Sequence, residues 1–434
     1  MAAVLHNHIN FQGRLDFVQS LLQEQYSLEE KAQISPIHYD PESLFKYNNF
    51  VYRISFPAPL TTRQVTKNRV EQAGCVPTPV GTKELIIRLT NSDAGEMYKT
   101  NRVENEVAMI TLASAALVEF VPHLVPSVYG WGSAAVESSQ GWIIQELMPG
   151  TPVGEAFRDM DLEQKRPILS QMARMLKSLQ KYKLPESITG FGGLKFDHNG
   201  RMINAAMPTV GAGPWTSYEA FFRGSLEVAL QNADTSPWIK GWHARGVRER
   251  LDAFVKHGIA AHFESLGSKE DRVIIHADFN PSNLLFETES GRITGLIDYD
   301  FSCISHPSYE FLRSFNSAGG KFPGWNGDEA SDDMEVSKAK LYGFPSPLPP
   351  STKKGVQWDV MKAWEDELER LDVKRPSNIR GIDKVADVET VLDAILPWRL
   401  HNEDALKLQR EEAILKCREE KEKHLVGLLD HFGF

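Results

Sequence analysis

Two groups of residues within 273–300 have the types and spacing for chemistry. The first is His276-x-Asp278, followed by Asn283. The second is Asp298, which ends the apolar run Leu296-Ile297, with Asp300 two positions on. Between them the pattern predicts a hairpin: Leu284 to Phe286 as one strand, Glu289-Ser290-Gly291 as the turn, and Arg292 to Ile297 as the returning strand. A hairpin brings its ends together, so Asn283 and Asp298 should lie side by side with Asp278 close by. That arrangement suits phosphoryl transfer, which needs a divalent cation on the phosphates and a carboxylate to orient the attacking hydroxyl and take its proton. Mg²⁺ takes oxygen ligands and is commonly held by a few side chains plus phosphate oxygens. Asn283 and Asp298 are therefore the candidate metal ligands and Asp278 the candidate catalytic base. Singly, each is ordinary turn or strand-end chemistry; the joint spacing carries the reading.

The segment resembles the catalytic segment of the aminoglycoside phosphotransferase/choline kinase-like superfamily, which shares the protein kinase fold. The pattern H-x-D-x-x-x-x-N, then a hairpin, then hydrophobic-Asp-x-(Asp/Glu), is matched at His276, Asp278, Asn283, Asp298 and Asp300. The resemblance implies an α+β chain in a two-lobed protein kinase-like fold. A helical extension over 1–40 would precede a small β-rich, nucleotide-binding N-lobe over 41–148. A large, mostly helical C-lobe over 149–434 would carry the catalytic loop and the acceptor site. The implied cofactors are ATP (or GTP) and Mg²⁺, and the implied partner is a small molecule that accepts phosphate on a hydroxyl. His276 would be structural, tying the catalytic loop to the strand before Asp298. Asp300 would either assist a second metal or bond the backbone.

The nucleotide-binding residues follow from the same resemblance. Residues 84–89, Glu-Leu-Ile-Ile-Arg-Leu, read as a buried strand, with Arg88 where protein kinases carry a lysine that contacts phosphates and pairs with a helix glutamate. Arginine keeps the charge but presents a planar fork of donors. Its implied partner is Glu106, with Glu104 as rival, on a helix expected over 96–115 that turns Val103, Val107 and Ile110 to one side. Residues 44–56 read as two short strands with a turn at Asn48-Asn49, which makes Asn49 a candidate of the phosphate-covering loop. The stretch Tyr47-Asn48-Asn49-Phe50 holds no glycine, although asparagine tolerates left-handed angles. Strands over Val128 to Trp131 and Trp142 to Leu147 would run into an interlobe hinge, where the backbone of Glu146, Leu147 and Met148 would hold the base.

Composition narrows the class. Hydrophobic residues at 41% and charged residues at 24% are ordinary for a globular protein, and 434 residues suffice for more than one domain-sized unit. A formal charge of −10 weighs against non-specific binding to nucleic acid or an anionic membrane. No nucleic-acid motif and no stretch of transmembrane length occurs. The N-terminus lacks the charged and apolar blocks of a signal peptide, so the cytoplasm is the expected location. Cys75, Cys303 and Cys417 are too sparse for a disulfide framework or a zinc site. Oligomeric state is not legible.

The remaining chain supplies the scaffold. Leu15, Phe17, Val18, Leu21 and Leu22 predict a helix from Gly13 to Tyr26 that packs on the small lobe. Residues 57–83 read as an irregular surface insertion with a basic run at Arg63, Lys67 and Arg69. Residues 151–186 read as helical. The run Gly190-Phe191-Gly192-Gly193 lacks the strand-loop-helix context of a phosphate loop and reads instead as the entry to a hairpin. Thr216-Ser217-Tyr218-Glu219 opens a helix containing Phe221, Phe222 and Leu226. Its aromatics, with Trp215, Trp238 and Trp242, suit core packing first and an acceptor pocket second. Pro307 and Ser308 open another helix. No long loop ending in Ala-Pro-Glu follows Asp300, which favours a small-molecule acceptor over a protein. Residues 317–356 read as a long surface loop bordering the acceptor, and His401 to Lys423 as a solvated helix before the docking residues Leu425, Leu428, Leu429 and Phe432. Two rival functions stand beside phosphotransfer: a non-catalytic nucleotide-binding scaffold and, less favoured, a protein kinase.

Overall fold

A computed structural model describes residues 6–66, 72–95, 97–135, 140–327, 331–351 and 355–434. Helix α1 (Phe11–Tyr26) buries Val18, Leu21, Leu22 and Tyr26. They pack on one face of an antiparallel sheet made of β1 (Gln33–Ile37), β2 (Asn49–Ser55), β3 (Glu84–Thr90), β4 (Val128–Gly132) and β5 (Trp142–Gln145). The strand order is β1-β2-β3-β5-β4. In the central strand β3, Leu85, Ile87 and Leu89 join the α1 core, so strand alternation sends Ile86 and Arg88 to the opposite face. After the short α2 (Thr62–Thr66), helix α3 (Arg102–Ala116) covers that opposite side and buries Val103, Val107 and Ile110 in a core continuous with the large lobe.

Three expectations for this lobe need correction. Residues 44–56 contain one strand, β2, not two; residues 38–48 are a loop. The partner strand is β1, inside the stretch read as a helical extension. Its Pro36 weakens the strand signal, yet β1 is an edge strand, where a missing backbone N–H is tolerated. Helix α3 starts at Arg102 after a 3₁₀ turn, Lys99–Asn101, because the asparagine and lysine before it form a turn rather than helix. Lys67 and Arg69 of the basic run lie outside the described residues.

The large lobe begins with β6 (Thr151–Pro152), α4 (Val153–Asp159) and α5 (Leu162–Lys181), the last opened by a capping box between Asp161 and Gln164. The hairpin β7 (Gly193–Phe196) and β8 (Met202–Ala205) follows as expected. The amides of Phe191 and Gly192 donate to Trp215 O (2.8 Å) and Ile304 O (2.9 Å), so this glycine run spends its donors on the protein. Helix α6 (Tyr218–Thr235) is capped by Ser217 and, after α7 (Val247–Ala253), packs with α8 (Ile259–Glu264). Then come β9 (Val273–Ile275), β10 (Leu284–Glu287), β11 (Arg292–Leu296), β12 (Cys303–Ser305) and α9 (Pro307–Arg313).

Helix α10 (Asp332–Tyr342) falls inside the stretch read as a loop. Glycine- and proline-rich flanks hid it, although Ser331 caps it by accepting from Met334 N. Helices α11 (Trp358–Arg370), α12 (Ile382–Ile395), α13 (Trp398–His401), α14 (Glu403–Lys407) and α15 (Glu411–Phe432) complete the lobe. The charged tail is thus two helices rather than one. Leu425, Leu428 and Leu429 are buried in the main core. No described helix is long and apolar enough to cross a membrane.

Candidate active site

The β10–β11 hairpin forms as expected, with Leu284 opposite Leu296 and a bulge between Leu285 and Phe286. Ile297 N donates to Asn283 O at 3.0 Å and pins the two ends together. His276 is fully buried, and its Nε2–H donates to Ile297 O at 3.2 Å, which ties the catalytic loop to the strand before Asp298. Burial outweighs the nearby Asp278 and pushes the His276 pKa down to about 4, so the ring is a neutral structural donor. Ala277 and Asp298 hold φ of 62° and 68°. Left-handed angles at such residues cost on the order of 1–3 kcal/mol and persist only where the surroundings enforce them.

Glu310 is part of that enforcement. Fully buried in α9, it accepts from His276 N (2.7 Å) and Ala277 N (2.9 Å). Burial raises its pKa to about 7 against the pull of Ser314 and the two amides. Sequence reasoning missed it, because nothing local marks a glutamate that acts 34 residues upstream.

The Asp278 carboxylate is held at both oxygens. Oδ2 accepts from Asn283 Nδ2 at 2.7 Å, and Oδ1 accepts from Asn280 Nδ2. Asn280 in turn accepts, on Oδ1, from the backbone N of Asn316 at 2.6 Å. Asn283 lines one cavity and Asn316 another, so Asp278 stands between the two.

The first cavity, of about 450 Å³, lies between the sheet and the hairpin. Phe50, Ile86, Leu147, Met148, Leu285 and Ile297 supply apolar wall, and Arg88, Asn283 and Asp298 lie on its lining. Glu146, Leu147 and Met148 border it. The Glu146 side chain turns away to accept from Ser127 N (3.1 Å) and to meet His123 Nε2 (2.8 Å), and its backbone N–H donates to Ser127 O (2.8 Å), which leaves its carbonyl for a ligand. The second cavity, of about 710 Å³, is bordered by 316–324, α12 and α15. Of the aromatics considered for an acceptor pocket, Tyr218, Phe221, Phe222 and Trp242 are buried core residues and line neither.

Arg88 organises the charge at the first cavity. It pairs with Glu106 through Nη1 and with Asp298 through Nη2 at 2.8 Å, and Asp300 lies 3.4 Å away. Glu106, not Glu104, is therefore its partner. Arg102, missed in the sequence, reaches Asp300 at 3.3 Å and Asn48 O at 2.7 Å. Burial favours the protonated form of all three acids. For Asp300, Arg102 and Arg88 together overcome burial and hold its pKa below the usual carboxylate value. Glu106 goes the other way: burial raises it well above the usual range despite Arg88. Asp298 is raised too, by burial first, with Arg88 opposing. Asn49 does not cover the cavity as a loop tip. It starts β2, donates to Asp300 Oδ2 at 2.6 Å and accepts from Arg102 at 3.1 Å, because that buried acid needs donors.

Oxygens of Glu106, Asp298 and Asp300 lie within 4.8 Å of one another. Glu106 and Asp300 are almost wholly buried against arginines, whereas the Asp298 side chain gives Oδ1 to Arg88 and is 41% exposed. Asn283 spends Nδ2 on Asp278, which leaves Oδ1 as an acceptor. Asp298 and Asn283 thus form a hard-oxygen pair on one cavity wall, a donor set that fits Mg²⁺.

A family model described as the phosphotransferase enzyme family (APH) matches residues 78–333, more than half of the chain, and the chain belongs to that family. The two-lobed kinase-like architecture accords with this membership. Among solved structures, a thermostable mutant of an aminoglycoside phosphotransferase in ternary complex with AMP-PNP and hygromycin B is 13% identical, covering 95% of this chain and 98% of that one, with a TM-score of 0.45. A streptomycin–ATP ternary complex of another aminoglycoside phosphotransferase is 12% identical, covering 94% and 95%, with a TM-score of 0.48. An ADP-bound aminoglycoside phosphotransferase is 12% identical, covering 99% of both chains, with a TM-score of 0.45. No curated protein matches.

Proposed function

We propose that this protein transfers the terminal phosphoryl group of a nucleoside triphosphate, ATP or GTP, to a hydroxyl of a small molecule with the help of Mg²⁺. The observation that carries the reading is the Asp278 carboxylate, bonded on one side to a wall of the first cavity through Asn283 and on the other to a wall of the second through Asn280 and Asn316. A nucleotide in the first cavity and a hydroxyl reaching in from the second would meet at this carboxylate. Asp278 would orient the hydroxyl and accept its proton as the oxygen attacks the terminal phosphorus and the nucleoside diphosphate leaves. Arg88, held by Glu106, would face the phosphates with a fixed positive charge. Asn283 and Asp298 would hold Mg²⁺, which when bound neutralises charge on the phosphate oxygens. A cavity of about 710 Å³ on the acceptor side suits a small molecule.

A thermal-shift titration with ATP and GTP, with and without Mg²⁺, tests this on wild type and Asp298→Ala. Ligand that binds the folded state raises the melting temperature by mass action. The reading expects a Mg²⁺-dependent rise that Asp298→Ala abolishes. No rise with either nucleotide at millimolar concentration would overturn it in favour of a scaffold. A rise indifferent to Mg²⁺ and to Asp298 would leave nucleotide binding but remove the metal assignment.

A further inference from the structure

The loop over 38–48 joins β1 to β2 and holds no glycine. His38, Tyr39 and Tyr47 put it on the lining of the first cavity. A loop is ordered only where its backbone groups find partners, and here side chains from other elements supply them. Asn91, just past β3, donates from Nδ2 to Tyr47 O at 2.7 Å. Arg102 of α3 reaches Asn48 O, and Asp404 of α14 accepts from Lys46 N. Phe45 O and Tyr47 N are both met by one side chain, Asn7, which donates from Nδ2 at 2.8 Å and accepts on Oδ1 at 3.0 Å.

Asn7 sits in the 3₁₀ turn His6–His8 ahead of α1 and is fully buried. Arg14 of α1 fixes that turn: its Nη2 donates to Asn7 O at 2.6 Å, and its guanidinium lies 3.7 Å from the centre of the Phe50 ring. Beside it, His8 Nδ1 meets the Tyr39 hydroxyl, and the rings of Phe11 and Tyr39 pack with centroids 5.0 Å apart. A buried amide needs both its donor and its acceptor matched. Both matches here are loop backbone, two residues apart. An apolar side chain would cover the loop equally well but leave the two backbone groups unmet, so Asn7 selects one shape of 45–47. It does so from behind, since it is not itself part of the cavity lining.

We propose that Asn7 is a positioning residue of the nucleotide site, holding the glycine-free loop in the shape that receives the nucleotide. The inference rests on the nucleotide reading above. Glycine lets a loop adapt its backbone to a ligand; without it, the receiving shape has to be set beforehand. A loosened loop holds that shape only part of the time, and apparent affinity falls by the same fraction.

Two measurements test this on wild type, Asn7→Ala and Tyr26→Phe: calorimetric titration with ATP and Mg²⁺, and hydrogen exchange of the amides of 38–48 without nucleotide. Tyr26→Phe is the control for stability, because it removes a buried bond in the same lobe, made with Thr78 at 3.0 Å outside the loop. Asn7→Ala should speed exchange over 38–48 and weaken ATP about tenfold, as when the receiving shape is held about a tenth of the time. Tyr26→Phe should lower the melting temperature and leave both readouts as in wild type. Should Asn7→Ala not fold, Asn7→Asp, which keeps the acceptor for Tyr47 N and loses the donor to Phe45 O, is read by the same measurements with the same expected directions. Unchanged ATP affinity in the Asn7 variant would overturn the proposal and leave the phosphotransferase reading standing. So would weaker ATP without faster exchange over 38–48, or an equal loss of affinity in Tyr26→Phe. Failure of wild type to bind ATP would overturn both.

Discussion

The two cavities beside Asp278 are built from different material. The one between the lobes has largely apolar walls, and its lining draws on the sheet, the loop before β2 and the hairpin segment 282–298. Its charges come as matched groups, with Arg88 set among Glu106, Asp298 and Asp300. The other cavity is larger and carries Asp333, Glu389 and Asp393 against Lys321, Lys421 and His424, drawn from segments scattered between Leu312 and His424. Under the proposed function the difference separates two tasks. Chemistry needs a few groups at fixed distances, which one hairpin and one strand supply. Choice of acceptor needs a surface, which many segments share.

The largest effect should come from the carboxylate between them. Asp278→Asn is expected to lower kcat by about 10²–10⁴-fold in a coupled assay with an acceptor found by screening. The nucleotide Kd should stay within about threefold, since Asn283 still lines the first cavity. A parallel loss of nucleotide binding would mean that the two cavities are not separable at this residue.

Next in size is the charge cluster of the first cavity. Arg88→Met leaves Glu106 and Asp300, both buried, short of a counter-charge. Removing one member of a buried ion pair typically costs about 3–5 kcal/mol, so urea unfolding should show a loss of that order. An unchanged midpoint would show that the cluster is far better solvated than its burial implies.

A pH effect probes the second cavity. Burial, with Asp393 adding to it and Arg313 opposing, raises Glu389 to about 7. An unfolded glutamate titrates near 4.3. A raised folded pKa gives stability that is full below the unfolded value and lost as pH rises through the folded one. The share of stability that Glu389 contributes should therefore fall by on the order of 1–3 kcal/mol between about pH 4.3 and 7. Glu389→Gln should flatten that share of the decline in denaturation curves taken across the range. Glu310 and Glu365, also held near 7, and the buried His276 and His306, held near 4 and opposite in sign, set the slope that remains. An identical slope in the variant would refute the burial of this carboxyl.

The smallest effect joins the lobes. The loop over 38–48 borders the first cavity through His38, Tyr39 and Tyr47, and its Lys46 N donates to Asp404 of α14 at 3.0 Å. The Lys46 ammonium lies 3.3 Å from Glu403 and 3.6 Å from Asp404. Asp404→Ala should cost about 1 kcal/mol of stability and weaken nucleotide a few-fold without moving the acceptor KM. A change in acceptor KM instead would place this contact on the wrong cavity.

Legibility followed the same division. The hairpin and the central strand were readable from local pattern, and the His276 tie and the Arg88–Glu106 pair from the family resemblance. Strand β1 was not, since Pro36 blurs its signal and only the sheet reveals that it is an edge. Helix α10 was hidden by glycine and proline on both sides. Glu310, Arg102 and Asn7 carry no local mark; each matters for what it meets after folding.

By itself the sequence determined the constellation proposed to react. Asp278, Asn283 and Asp298 are joined by a hairpin whose turn and register are local properties, so their spacing already implies their proximity. Only the tertiary structure decided how far each acid is buried and which arginine it meets. That choice depends on Arg88, 210 residues before Asp298, and on Asn49, 251 residues before Asp300. Desolvation and charge pairing belong to the surroundings a side chain acquires on folding, and no short stretch of sequence contains them.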